Sequence, residues 1–196
     1  MIARPNTDIG EQRPRRRGFF ERFARDQSGA TAIEFTMLAI PFSLLVFAIL
    51  ESCISFAGQQ VMANITDDVA RQLRTGQIKA GDATFTQAEL KRMICDQLEI
   101  MVAKDCPGLH VDLRKFDTFE QAAALRIKYL GSGDDRTLDP SNFTFTPGLS
   151  TSKNVLRVFY EWPVITDFMR ASMSNLKDGK ALHFATVTWQ NEPFDD

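Results

Sequence analysis

The sixteen residues from 35 to 50, FTMLAIPFSLLVFAIL, carry no charge, and Thr36 and Ser43 are their only hydroxyl side chains. A helix made from them is apolar around its whole circumference. A helix on the surface of a soluble protein needs a polar side to face water, and this stretch has none to offer. The alternative is a solvent that is itself apolar. The hydrocarbon layer of a bilayer is about 30 Å thick, and a helix over residues 30–57 would be about 42 Å long at about 1.5 Å per residue. Such a helix crosses if Glu34 and Glu51, which bracket the run, lie near opposite interfaces. Pro41 cannot donate to the carbonyl of Met37 and so permits a bend, which membrane helices tolerate.

The charges are distributed around this run with a clear sign. The chain as a whole has a formal charge of −2. Residues 1–29 hold seven arginines against four acids, residues 30–57 hold no lysine or arginine, and residues 58–196 hold 16 basic and 19 acidic side chains. Arginines on one flank of an apolar helix keep that flank in the cytoplasm. The expected organisation is a cytoplasmic basic leader over residues 1–29, a transmembrane helix over 30–57 and an exported α+β domain over 58–196.

An ordinary secretory signal explains these features poorly. Ser55 and Ala57 are small enough for a signal peptidase, but the basic leader is too long and the apolar run exceeds the usual ~7–15 residues. An uncleaved signal anchor is the second possibility. A third accounts for more residues. The string SGATAIEF places Gly29, then Ala30 to Ile33, then Glu34 and Phe35. This resembles the processing site of type IV prepilins, above all the Flp and pseudopilin branch, where a dedicated peptidase cuts after the glycine. The resemblance implies a processing site formed by Gly29, Ala30, Glu34 and Phe35. Cleavage would give Ala30 a free amine, largely protonated at neutral pH because its pKa is near 8. It also implies that Glu34 meets the new amine of a neighbouring subunit. At about 4 Å and an effective dielectric near 20, that attraction is of order 4 kcal/mol before desolvation is set against it. A carboxylate early in the helix would also oppose the positive end of the helix dipole, worth about 0.3–1 kcal/mol.

Further blocks extend the likeness. They are GATAIEFTMLAIPFSLLVFAILE, ICDQLEIMVAKDC, HVDLRKFDTF, VLRVFYEWPVIT and ATVTWQNEPF, in that order across residues 29–194. Together they resemble the TadE-like family of tight-adherence (Flp) pilus assembly, whose members are minor pseudopilins. The resemblance implies a single-pass protein of the bacterial inner membrane with a periplasmic domain. Its implied partners are a prepilin peptidase, other pilins or pseudopilins, platform proteins of the pilus machinery and the membrane itself. The alternative is an unprocessed, signal-anchored periplasmic binding or scaffold domain.

The exported part has its own legible pattern. Val61, Ile65, Val69 and Leu73 recur every four residues, so the apolar helix is expected to continue beyond the membrane and stop near Gly76. Thr86 and Glu89 have the spacing of a capping box. They open a helix with an apolar stripe of Leu90, Ile94, Leu98 and Met101 that is expected to end at Cys106-Pro107-Gly108. Strands are expected at GLHVDLRKF, at NVLRVFYEW and at ALHFATVTWQ. In the second, Leu156, Val158, Tyr160 and Trp162 alternate with Arg157 and Glu161. These predict a small antiparallel sheet packed on the long helix, with additional helices at FEQAAAL and ITDFMRASMSNL, which is the pilin-like plan. A short strand is possible at NFTFT. The acidic ending NEPFDD reads as a solvated tail.

Cys95 and Cys106 stand together in sequence, and Cys53 falls in the apolar segment. In an oxidising compartment the pair can close a short loop worth about 3 kcal/mol; the rival reading is two buried thiols. Cys106 and His110 are too few for a metal site. The chain carries no Gly-rich phosphate loop, no metal-spaced cluster and no nucleophile elbow. His110 and His183 sit singly on strand patterns, and basic residues after 57 are dispersed, without a nucleic-acid footprint. The expectation is a structural and interaction protein, not an enzyme, with no cofactor, no metal and no nucleic-acid partner.

Overall fold

The computed structural model describes residues 29–194; all of the basic leader but Gly29, and residues 195 and 196, lie outside them. The chain divides into two units, one ending at Leu45 and the other beginning at Val46. Helix α1 (Ala30–Arg74) contributes to both, and Pro41 lies inside it without ending it. In the first unit the large apolar side chains, among them Phe35, Leu38 and Phe42, are exposed. Thr36 Oγ1 donates to Ala32 O at 2.8 Å, so this hydroxyl makes no demand on water. Among the described residues, α1 is the helix long and apolar enough to cross a membrane.

The second unit is an α+β domain. Its part of α1 buries Met62, Ile65, Val69, Ala70 and Leu73, while Val61 is only half-buried. The stripe therefore starts one residue later than the four-residue repeat suggested. Arg71 and Arg74 fall in the last turn, where cations oppose the negative end of the dipole. Gly76, at φ 73°, reverses the chain after it.

Helix α2 (Gln87–Leu98) starts as its sequence indicated, with Thr86 as N-cap accepting from the Glu89 backbone N–H at 3.2 Å. It stops at Leu98, well short of the Cys-Pro-Gly stop expected from sequence. Covalent geometry gives the reason. A helix continued to Cys106 would hold that residue about 16 Å along the axis from Cys95. The two Cα atoms are instead 5.8 Å apart and joined through a disulfide. The chain folds back through Asp105 and Cys106, both at positive φ, with the Asp105 N–H donating to Glu99 Oε1 at 2.9 Å.

Among the described residues, the main sheet has the order β4–β1–β5–β6. These are β1 (Leu109–Phe116), β4 (Phe145–Thr146), β5 (Lys153–Pro163) and β6 (Lys180–Gln190). β1, β5 and β6 are antiparallel, in the register Leu109↔Tyr160 and Tyr160↔His183. The edge strand β4 runs parallel to β1, Leu113 facing Phe145. The sheet is therefore mixed, not purely antiparallel, because β4 returns along β1 after the long intervening loop. That loop holds the short helix α3 (Phe119–Ala123) and a two-strand ribbon of β2 (Tyr129–Leu130) and β3 (Thr137–Leu138). Helix α4 (Asp167–Met173) precedes β6.

One face of the sheet, with Leu109, Val111, Leu113, Leu156, Val158 and Tyr160, packs on α1 and α2. The other face carries Arg157 and Phe159 of β5. It is covered too: Phe159 and Leu182 pack with Leu138 and Leu176. Phe143 stacks on Phe159 with ring centroids 5.0 Å apart. Arg157 is consequently buried, beside buried Asp112 on the neighbouring strand. Asp112 Oδ2 accepts from Arg157 Nη2 at 2.5 Å and from Nε at 2.9 Å. Its Oδ1 accepts from Arg114 Nε and from the Thr144 backbone N–H, both at 2.8 Å. The carboxylate thus ties β1, β5 and the approach to β4 together. Removing one partner of a buried ion pair costs about 3–5 kcal/mol, whereas replacing both by apolar groups of similar size is often neutral. Arg157→Ala should lower the denaturation midpoint strongly. The double variant Asp112→Leu/Arg157→Met should recover much of the loss, as read by urea titration of the detergent-solubilised chain.

Candidate functional site

The residues singled out at the N-terminus lie in the first unit. Gly29 is exposed and immediately precedes α1. A Cβ placed on it would meet nothing within 4 Å. Its φ is not among the positive values. Among the described residues, neither packing nor backbone conformation demands glycine here. Ala30 is the first helical residue. The first turn of α1 contains no acid, because Glu34 opens the second turn, where the dipole acts more weakly than the sequence reading supposed. Glu34 and Phe35 are exposed, and the Glu34 carboxylate has no hydrogen-bond or ion-pair partner among the described residues.

Glu51, the acid that closes the apolar run, behaves differently. It is 8 % exposed. Its Oε1 accepts from the backbone N–H of Ile165 at 2.5 Å and of Thr166 at 3.2 Å. Its Oε2 accepts from the Thr166 hydroxyl. Thr166 is the residue before α4, so Glu51 fastens α1 to the segment that leads from β5 into α4. One turn further on, Ser55 Oγ lies 3.0 Å from His183 Nε2. The His183 ring stacks on Trp162 with centroids 5.0 Å apart. Gly58 completes the seat: a Cβ there would come within 2.5 Å of the Trp162 ring. Sequence reasoning placed Glu51 at a lipid interface and found neither the Ser55–His183 link nor the role of Gly58. The available signal was a glycine in a helix otherwise free of glycine after residue 29.

The C-terminal block is docked, not a free tail. Asn191 is buried. Its Oδ1 accepts from Trp189 Nε1 at 2.7 Å and Asn154 Nδ2 at 3.0 Å, and its Nδ2 donates to the carbonyls of Gly148 and Leu149. The Glu192 N–H donates to Arg74 O at 2.9 Å, at the end of α1. Phe194 then lies against Gly76, where a Cβ would approach its ring within 2.7 Å. The reading of NEPFDD as solvated is corrected for buried Asn191 and half-buried Phe194, while the side chains of Glu192 and Pro193 are exposed. A side chain with two donors and a double acceptor can satisfy four buried groups at once, and Asn191 does so here.

Cys95, Glu99 and Cys106 converge closely enough to hold an ion. The two sulfurs are bonded to each other and offer no thiolate to a metal. Cys53 is a free, exposed thiol. Beside Trp162 a half-open cleft of about 440 Å³ is lined by Ile54, Met101, Val102, Pro163 and Ile165 among others. It is largely hydrocarbon and presents no nucleophile–base pair.

Burial pushes the His183 imidazole down from its ordinary 6.5 to about 4, and His110, half-buried, is also lowered by burial. The unfolded chain binds a proton at His183 below pH 6.5 while the folded chain resists it until about pH 4. The contribution of neutral His183 is therefore complete above pH 6.5 and is lost as pH falls towards 4. Thermal unfolding across this range should show Tm falling with pH, and His183→Gln should flatten that part of the profile. Separately, Cys95→Ser/Cys106→Ser should lower stability by about 3 kcal/mol at every pH, the loop-closure value for a short bridge.

A search of curated proteins returned no match, and neither did a search of solved structures. A family model does match. It is that of the TadE-like proteins, and it covers residues 29–71, which is α1 from the glycine before it almost to its end. The likeness drawn from the later blocks lies beyond the matched segment. Through residues 29–71, with Gly29, Glu34 and the apolar run in place, the chain is similar to the TadE-like proteins.

Proposed function

We propose that this protein is a minor pseudopilin of tight-adherence (Flp, type IVb) pilus assembly, processed by a prepilin peptidase after Gly29. The TadE-like match ties the chain to the Tad pilus system. The observation that carries the finer reading is the chemistry at the start of α1. A glycine that the fold does not need stands at the helix boundary, followed by a carboxylate with no partner among the described residues. Removing the leader would expose an ammonium at Ala30, and Glu34 would offer it a counter-charge on an adjacent subunit. An ionisable side chain in an apolar helix is a functional group by default.

In this reading residues 1–29 stay in the cytoplasm, α1 crosses the inner membrane, and the α+β domain is periplasmic. The positive-inside distribution of arginines supports that orientation. The role is mechanical. The apolar helix packs beside those of other pilins or pseudopilins, and the domain meets platform components at the pilus base. Catalysis, cofactor and nucleic acid have no part in it.

Co-expression with the cognate prepilin peptidase, followed by intact-mass measurement, tests the processing step. The expected product begins at Ala30, and Gly29→Ala should leave the leader attached. A full-length product from the unaltered chain in the presence of active peptidase would reject processing and favour the unprocessed, signal-anchored scaffold.

A further inference from the structure

We infer that the edge of the α+β domain around Ile54, Ile100, Ile165 and Phe168 seats in the lipid interface, so that the domain rests on the bilayer instead of swinging free of it. The inference rests on the proposed membrane span. It starts from the contact of Glu51 with the backbone of Ile165 and Thr166. Glu51 is the first charged residue after the apolar run. Where the run leaves hydrocarbon, the 165–168 segment is therefore held against the helix.

The side chains on that segment are the wrong kind for water. Ile165 is 75 % exposed and Phe168 is 64 % exposed. Ile54, just past Glu51 on α1, is exposed and lines the same cleft as Ile165, Met101 and Val102. The exposed Ile100 precedes those last two residues in the turn after α2. Hydrocarbon side chains from three separate segments, Ile54, Met101 with Val102, and Ile165, thus line one cleft just past the apolar run, and exposed Ile100 and Phe168 adjoin it in sequence. The acids beside them are paired: Asp167 with Arg170 at 2.5 Å, and Glu161, which lines the same cleft, with Lys180 at 2.8 Å. Continuity with the apolar run selects the occupant. A lipid surface lies beside these residues wherever residues 35–50 are in a membrane, with no second protein required. Surfaces of this type settle about 5–10 Å into the headgroup–acyl boundary.

The test uses the full chain at one copy per lipid nanodisc, with Cys53→Ser removing the free thiol. Single cysteines at Ile165→Cys, Phe168→Cys, Leu130→Cys and Leu45→Cys each carry an environment-sensitive fluorophore. The replaced side chains are exposed, so the label displaces no core. Spin-labelled lipid with its quencher just below the headgroups should quench positions 165 and 168 about threefold more than position 130, as expected for seating about 5–10 Å deep. Position 45 reports the span itself. Strong lipid quenching at 45 with 165 and 168 no different from 130 overturns the inference while the span reading survives. Absence of lipid quenching at 45 overturns both. Shielding of 165 and 168 only when two or more copies share a disc assigns this edge to a second copy and also overturns it.

Discussion

The absence of any polar side around residues 35–50 is the constraint from which the rest of the molecule follows. No described residue buries this part of α1, and water cannot solvate it favourably. Side chains such as Phe35, Leu38 and Phe42 are exposed, as suits a helix long and apolar enough to cross a membrane. Beyond Glu51 the same helix changes partner. Met62, Ile65, Val69 and Leu73 disappear under the sheet, Asn64, Asp67 and Arg71 turn outward, and buried Thr66 donates its hydroxyl to Met62 O. One continuous helix thus obeys two burial rules in succession.

What could be read from the sequence was whatever is set by neighbours along the chain. The Thr86 cap, the Leu90–Ile94–Leu98 stripe and the glycine stop at Gly76 depend on residues a few positions apart, and each stands where the pattern put it. The strands were legible for the same reason. The covering of the second sheet face was not, because it arises from residues 127, 138 and 143, far from β5 in sequence. One signal did exist. Phe159 interrupts the alternation of VLRVFYEW, and a strand apolar on both faces is a strand buried on both faces. The alternation with Arg157 did not reveal this, because an arginine can be buried when a carboxylate such as Asp112 waits across the register. At the candidate site, Gly29, Glu34 and Phe35 were legible as a spacing. Glu51 was legible as a charge but not as an acceptor for the 165–166 backbone, since its partners lie more than a hundred residues away.

The polar interior of the domain is concentrated on two residues. Asp112 joins three segments on one side of the sheet, and Asn191 gathers the 148–154 turn, Trp189 and the chain end on the other. Both have their hydrogen-bonding capacity met. Among the described residues, no buried side-chain nitrogen or oxygen lacks a partner. Polar groups arranged this way add little net energy per bond. They penalise every alternative packing that would leave one of them dry and alone.

The notch at Gly58 has a rotational meaning. Each residue along a helix turns the viewing direction by about 100°. Only one azimuth of α1 presents the bare backbone of Gly58 to the Trp162 indole. A slip by one position would drive Ala57 or Gln59 into the ring. The indole therefore acts as a pawl, and torque applied to the helix at this level must be carried by the sheet instead of dissipating in a free spin.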